Sequence, residues 1–162
     1  MEPEQLRFAD DGEIPNNPRL PALLWRGVLP PGEPAAAEAL FARHGWPPAW
    51  RNGIYRHHHY HPNAHEALAI ARGEVRVQLG GPRGAVLDLR AGDAVALPAG
   101  VGHCNLRQSA DLLVVGAYPA GATPEQCDGG KPAHDAALPR IAATPDPPNE
   151  PVGGTPWPGA RP

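Results

Sequence analysis

The feature that most constrains the fold is a series of short strand-like segments between residues 53 and 118, separated by turns that contain glycine. In GEVRVQLGG the apolar residues Val75, Val77 and Leu79 alternate with polar ones, which places the three side chains on one face of a strand. Further segments of strand character are AVLDLR, GDAVALP and DLLVVGAY. Several short strands spaced by glycine turns predict an all-β sandwich or small barrel.

The regions on either side of these strands differ in composition. Residues 34–44, PAAAEALFARH, predict one short helix, because Pro34 suits a first helical position and Gly45 ends the pattern. Residues 1–33 are rich in proline and predict an extended N-terminal arm. Residues 119–162 are again proline-rich and show no periodicity, so we expect a segment that packs on the barrel or on a partner. The barrel itself is expected over residues 34–118.

Charge and composition exclude several classes of partner. The 162 residues carry a net charge of −3 and no block of lysine and arginine, which argues against nucleic acid and anionic membranes as partners. The apolar runs are too short to span a bilayer, and the acidic N-terminus has no secretory signal pattern. Cys104 and Cys127 form no CxxC pair, so we expect a cytoplasmic protein with reduced thiols. A role for Cys104 in ligation or catalysis stays open, although a small buried thiol is favoured.

The segment RNGIYRHHHYHPNAHE, residues 51–66, contains five histidines within nine positions. If residues 55–61 form a strand, His57, His59 and His61 share one face, and Tyr60 points to solvent. Imidazoles on the inner face of a barrel are costly without partners. Metal ligation would satisfy neighbouring inward imidazoles together.

Two further groups extend this cluster. Glu66 alternates with Leu68 and Ile70 and so shares an apolar face, where a carboxylate needs a compensating cation. His65 falls on the opposite face, and we expect it at the rim or in solvent, although it could replace Glu66 as a ligand. After the turn Pro98-Ala99-Gly100, His103 begins the next strand and is a fourth inward-facing candidate.

These residues carry a resemblance to a known family. One block consists of Gly53, His59, His61, Glu66 and Gly73, and a second consists of Gly92, Pro98, Gly100 and His103. Both match the two ordered motifs of the cupins, except that Arg107 stands where the second motif ends in asparagine. The sequence therefore resembles a cupin, and its flanking segments resemble the small bacterial YjlB-like single-domain cupins.

The resemblance implies a jelly-roll β-barrel and one divalent transition metal ion (Fe, Mn, Ni, Co, Cu or Zn) as cofactor. It implies that His59, His61, Glu66 and His103 are the metal ligands. Three imidazoles and one carboxylate suit such an ion, and octahedral coordination leaves two positions open. Residues that could line the pocket around the metal are Tyr55, His57, His65, Asn105 and Arg107.

These features favour a metal-dependent enzyme that acts on a small organic molecule, with dioxygenase-type oxidoreductase chemistry and Glu66 as proton acceptor. The alternatives are a cupin that binds a small ligand or metal without catalysis, and a metal-dependent isomerase or lyase. A metal-free sugar epimerase ranks last, because Lys131 is the only lysine. We also expect a homodimer, because extended terminal segments often cover the exposed sheet edge of a neighbouring subunit.

Overall fold

The structure, a computed structural model, describes residues 1–162. Nine strands and two helices follow one another along the chain: β1 (Glu4–Leu6), β2 (Ala22–Trp25), α1 (Pro34–Arg43), β3 (Pro48–Asn52), β4 (Glu66–Arg72), β5 (Glu74–Leu79), β6 (Ala85–Arg90), β7 (Ala94–Leu97), β8 (His103–Gln108), β9 (Leu113–Ala117) and α2 (Lys131–Ala143). No helix is both long and apolar enough to cross a membrane.

The strands form two antiparallel sheets. The larger sheet has six strands in the order β1-β2-β7-β4-β9-β3, and the smaller has three in the order β6-β5-β8. The inner faces of the two sheets pack together in the manner of a closed double-sheet β fold. The prediction of an all-β jelly-roll barrel with a short helix after the N-terminal region is confirmed.

The space between the sheets holds the main core. From β4 of the large sheet, Leu68 and Ile70 point inward and meet Val75, Val77 and Leu79 of β5 in the small sheet. All five side chains are buried, and burial of each contributes about 1.5–3 kcal/mol relative to exposure. The period-2 pattern of the sequence thus determines which face of each strand meets the other sheet.

The outer face of the large sheet is covered by α1 and the C-terminal segment. Here β4 presents the small residues Ala67, Ala69 and Ala71, and Phe41 of α1 and Trp157 belong to the same buried cluster. Small side chains allow the helix and the large aromatic rings to approach the sheet closely. β4, which begins at Glu66, is therefore buried on both faces for almost its whole length.

Two expectations about the terminal segments need correction. The C-terminal segment contains a helix, α2, whereas the sequence indicated no periodic structure there. His134, Ala137 and Ile141 are buried along one side of α2. Their spacing is that of a helix, but only three residues carry it. The N-terminal region also supplies β2, which is fully buried and pairs with β7 inside the large sheet of its own chain.

The two terminal segments are held together by Asp146. Its carboxylate pairs with the Arg19 guanidinium and accepts a hydrogen bond of 2.8 Å from the backbone N–H of Arg161. The Arg19 hydrogen bond lowers the pKa of Asp146 from 3.8 to about 2 despite its partial burial. A carboxyl group with a depressed pKa in the folded state stabilises the protein above its unfolded-state pKa, and this contribution is lost as the pH falls.

We therefore predict that Asp146→Asn lowers the free energy of unfolding by about 2 kcal/mol at pH 7, as measured by urea denaturation. The difference from the wild type should shrink as the pH falls from about 4 towards 2. Asp88→Asn is the control, because it removes an exposed pair with Arg76 and should change stability little. Equal losses for both variants would contradict the prediction.

Candidate metal centre

The histidine segment and the start of β8 are hydrogen-bonded to each other. The backbone N–H of His59 donates to the His103 carbonyl at 3.2 Å, and the N–H of His103 donates to the His59 carbonyl at 2.9 Å. Residues 54–58 form no strand, contrary to the alternation expected over 55–61, and only single bridges occur at His59 and Tyr60. These bridges suffice to bring the two motif segments side by side.

Three of the four predicted ligands converge on one point. Nε2 of His103 lies 3.1 Å and Nε2 of His61 3.3 Å from the same Glu66 oxygen, Oε1. One ligand atom from each of the three residues lies within 4.8 Å of the others. His59 stands next to this group rather than in it, with its ring centroid 4.0 Å from that of His103 and 6.1 Å from that of His61.

The imidazole rings of His59, His61 and His103 are each oriented by a backbone carbonyl that contacts Nδ1. A carbonyl only accepts hydrogen bonds, so Nδ1 carries a proton in each ring, and Nε2 is the nitrogen left to face the centre. There Nε2 of His61 and His103 can ligate a metal through its lone pair or, with a second proton on the ring, donate to Glu66. The Nδ1–H groups of His59, His61 and His103 donate to the carbonyls of His57 (2.9 Å), Glu125 (2.8 Å) and Val101 (3.2 Å), respectively. Such support is typical of histidines that ligate metals.

The electrostatics keep the carboxylate charged. Burial alone would raise the pKa of Glu66, but hydrogen bonds from His103 and His61 lower it well below its ordinary value. Burial and the neighbouring His103 lower the pKa of His59 to about 3, so this ring is neutral at physiological pH. Burial lowers the pKa of His61, whereas the hydrogen bond and the charge of Glu66 raise it. The net effect is a raised pKa.

The donor set fits a divalent metal ion. Two Nε2 atoms face one buried carboxylate oxygen, and a cation among them would satisfy all three groups. Neutral imidazole and carboxylate are the ligands preferred by borderline divalent transition metals. His61, Glu66 and His103 would hold the ion, and the His59 ring lies beside them.

The group lies in the wall of a cavity of about 690 Å³. His59, His61, Glu66 and His103 all contribute to its lining. The other lining residues are Trp50, Arg51, Asn52, Gly53, Ile54, Tyr55, Leu68, Gln108, Leu112, Leu113, Tyr118 and Gln126. A molecule in this cavity would contact the centre directly.

The five residues named as pocket candidates have different environments. Tyr55 lines the cavity, whereas the His57 side chain is half exposed and contacts Asp128 at 3.3 Å. Asn105 is buried behind the cavity, where its Nδ2 donates to the Ile54 carbonyl. Arg107 is exposed on the small sheet and does not line the cavity.

Two expectations about side-chain direction were wrong. His65 was expected at the rim or in solvent but is 3% exposed. Its Nε2 donates to the Pro145 carbonyl, and its Nδ1 accepts the N–H of Ala99, so it cannot also be a metal ligand. Tyr60 was expected in solvent but is 0% exposed, because residues near Cys127 and α2 cover it.

Two aromatic residues of the cavity, Trp50 and Tyr118, were not among the predicted pocket residues. The Trp50 indole N–H donates to the Tyr118 hydroxyl at 3.0 Å. A Cβ at Gly116 would lie 2.1 Å from the Trp50 ring, so only glycine allows the indole to lie against β9. A glycine inside an apolar strand was the signal for such a close approach. Burial is the larger cause that raises the pKa of the Tyr118 hydroxyl, and the Glu66 carboxylate is the next. The hydroxyl therefore stays protonated.

Cys104 is buried, and its thiol donates a weak hydrogen bond to the Asn105 carbonyl at 3.8 Å. It takes no part in the ligand group. Burial raises the pKa of its thiol. The favoured prediction, a small buried thiol, agrees with these contacts.

Comparison with known proteins identifies the family to which this chain belongs. A family model described as the cupin domain matches residues 51–115, which include both histidine segments. The chain belongs to the cupin family. More particularly, it is 40% identical over 147 residues to the uncharacterized protein YjlB of Bacillus subtilis (strain 168), and the match covers 91% of this chain and 88% of YjlB.

Solved structures resemble the chain more weakly. An 11S allergen of Cocos nucifera is 22% identical, with 48% of this chain and 23% of that chain covered and a TM-score of 0.38. Oxalate decarboxylase is 18% identical, with 68% and 24% covered and a TM-score of 0.37. Acireductone dioxygenase from Bacillus anthracis, with a cadmium ion in its active center, is 16% identical, with 65% and 54% covered and a TM-score of 0.34. The chain spans about a quarter to a half of these proteins, and these likenesses carry no functional argument.

The carbonyl that orients His61 belongs to the C-terminal segment, which is fixed by Asn63. The Asn63 amide donates to the Thr123 carbonyl at 3.0 Å, and its oxygen accepts the N–H of Glu125 at 2.9 Å. The Arg140 guanidinium pairs with the Glu125 side chain from α2. Asn63 thus acts on the centre through Glu125 without touching it.

We predict that Asn63→Ala weakens Zn²⁺ binding about tenfold, because His61 loses its fixed partner. Competition with a chromophoric chelator measures the affinity, and a thermal melt of the metal-free protein checks that the fold is intact. Asn63→Asp keeps the acceptor for the Glu125 N–H and should recover part of the affinity. An unchanged affinity in Asn63→Ala would contradict this role.

Proposed function

We propose that the protein is a metal-dependent enzyme that acts on a small organic molecule held in the cavity, with dioxygenase-type oxidoreductase chemistry. The observation that carries this proposal is the position of the donor set. His61, Glu66 and His103 converge at the wall of an open cavity rather than inside the closed core. A metal held there keeps positions accessible to other ligands, as reactive centres require and purely structural sites do not.

The residues of the site are assigned to metal binding, substrate orientation and proton transfer. His61, Glu66 and His103, with His59 beside them, would hold the ion. When bound, a redox-active divalent ion supplies Lewis acidity and electron transfer. Tyr118 accepts a hydrogen bond from Trp50, interacts with Glu66 and would orient a substrate oxygen beside the centre. Glu66 is the proton acceptor that we assign for a state in which its carboxylate is detached from the ion.

Part of the cavity wall is apolar. Ile54, Leu68 and Leu113 contribute to this part, and the Trp50 indole lies against β9. A low-dielectric wall strengthens the charge interactions at the centre. It also favours a substrate with an apolar portion.

We predict that His103→Ala and Glu66→Gln each lose most of the bound metal after anaerobic loading with Fe²⁺. Each variant removes a group whose ligand atom lies in the converging set. Elemental analysis of untagged protein after desalting measures the stoichiometry. His57→Ala is the matched control, because this half-exposed ring does not line the cavity, and it should keep the wild-type metal content.

The reaction class has its own test. Iron-loaded protein should consume oxygen when a library of small organic acids and enols is supplied, and His103→Ala should not. Turnover without oxygen uptake would redirect the proposal towards isomerase or lyase chemistry. Metal binding without any turnover would leave a ligand-binding cupin.

We also propose a homodimer located in the cytoplasm. β1 and β3 lie at the two edges of the large sheet, and a second copy could cover either edge. Both cysteines are free thiols, as is usual in a reducing compartment. Light scattering at micromolar concentration should give twice the 17.1 kDa mass of the chain, and a monomer would contradict the proposal.

A further inference from the structure

We propose that the cavity selects a singly charged, chelating acid with an apolar body, and that Glu38 enforces this selection by neutralising Arg51. The inference rests on the proposed function and names the substrate class of the same site. It follows from an inventory of the charged, polar and apolar groups that line the cavity.

The cavity offers no unpaired cation. Its charged lining residues are Glu66, which belongs to the candidate centre, and Arg51. Nε and Nη2 of Arg51 donate to Oε2 and Oε1 of Glu38 at 3.1 and 2.6 Å. Such a two-point pair matches the geometry of guanidinium and carboxylate. Glu38 lies on α1 and does not line the cavity, so it offsets the charge of Arg51 without occupying space in the cavity.

The neutral polar side chains are also largely engaged. Gln108 bonds with Asn105 at 2.8 Å, and Gln126 donates to Asp128 at 2.8 Å. The Asn52 oxygen accepts the N–H of Gly53. The Tyr118 hydroxyl accepts from Trp50 and lies within hydrogen-bonding reach of Glu66, so among the tyrosines the Tyr55 hydroxyl is left as a donor. A ligand would thus find few polar side chains away from the centre that do not already have a partner.

The wall also has an apolar part. It is formed by the side chains of Trp50, Ile54, Leu68, Leu112 and Leu113. A charged group placed against this surface would lose its hydration without compensation, which is costly. The part of the ligand that lies against these side chains must therefore be apolar or aromatic.

The charge at the centre limits the charge of the ligand group that contacts the metal, here called the head of the ligand. A divalent cation with the Glu66 carboxylate has a net charge of +1, because the imidazoles add none. One negative charge on the ligand neutralises it, and a second would have no partner on the wall. The head is therefore a single carboxylate or enolate with a neighbouring oxygen, able to occupy two metal positions.

Two acids that differ only in the terminal group opposite the chelating end test this inference, because one ends in a methyl group and the other in a carboxylate. Protein loaded with Co²⁺ is titrated calorimetrically with 2-oxopentanoate and with 2-oxoglutarate, which share the same chelating head and chain length. We expect 2-oxopentanoate to bind at least about tenfold more tightly, because the second carboxylate would meet an apolar wall. Equal affinities, tighter binding of 2-oxoglutarate, or binding of neither acid would overturn the inference.

A variant of Glu38 tests the cause of the selectivity. Glu38→Gln frees the Arg51 charge and should strengthen 2-oxoglutarate binding about three- to tenfold while leaving 2-oxopentanoate nearly unchanged. Glu38→Asp, which keeps the charge, should behave like the wild type. Asp88→Asn, which frees Arg76 on the small sheet away from the cavity, is the matched control and should change neither affinity. An unchanged ratio of affinities in Glu38→Gln would overturn the role of Glu38.

The outcomes separate this inference from the proposed function. Loss of bound Co²⁺ from the wild-type protein would reject the metal centre itself. Retained Co²⁺ with a preference for the dianion would reject only the substrate class. Cobalt absorbance in the visible range reports both, since it changes when an acid enters the metal coordination sphere.

Discussion

The contact on which the site depends is the approach of two imidazoles to one buried carboxylate oxygen. Glu66 is 3% exposed at the start of a strand whose two faces are both covered. An isolated carboxylate in such surroundings would cost several kcal/mol. His61 and His103 compensate it from two different segments, and their outer nitrogens are fixed by carbonyls. The barrel therefore encloses a negative charge that can be held only while these segments stay aligned.

The alignment comes from backbone hydrogen bonds and not from the side chains alone. His59 and His103 exchange N–H and carbonyl groups, and the Gly100 N–H donates to the His61 carbonyl at 2.8 Å. Gly100 has φ of +91°, and a Cβ there would lie 2.6 Å from the Asn16 carbonyl oxygen. The motif glycine thus permits a turn that is pressed against the N-terminal region. Spacing that looks like a metal motif in sequence is, in the fold, partly a requirement of backbone packing.

The sequence predicted the barrel and much of the centre because both depend on local patterns. Alternation in β4 and β5 identified the inward faces, and it placed Glu66 among apolar neighbours. The same reasoning failed for His65 and Tyr60, because the chain beyond residue 119 covers both side chains. A proline-rich segment gives no periodic signal of where it will lie, and a single strand cannot reveal what covers its outer face. Trp50 and Tyr118 were missed for a related reason, since their contact joins strands distant in sequence.

The carbonyl of Glu125 has a consequence for how the protein is made. It holds His61 from a position 64 residues later in the chain, and Asn63 receives its own partner over nearly the same separation. A nascent chain that has released both histidine motifs from the ribosome still lacks this support. The centre therefore gains its full hydrogen-bond support only after the ribosome has released the chain around residue 125.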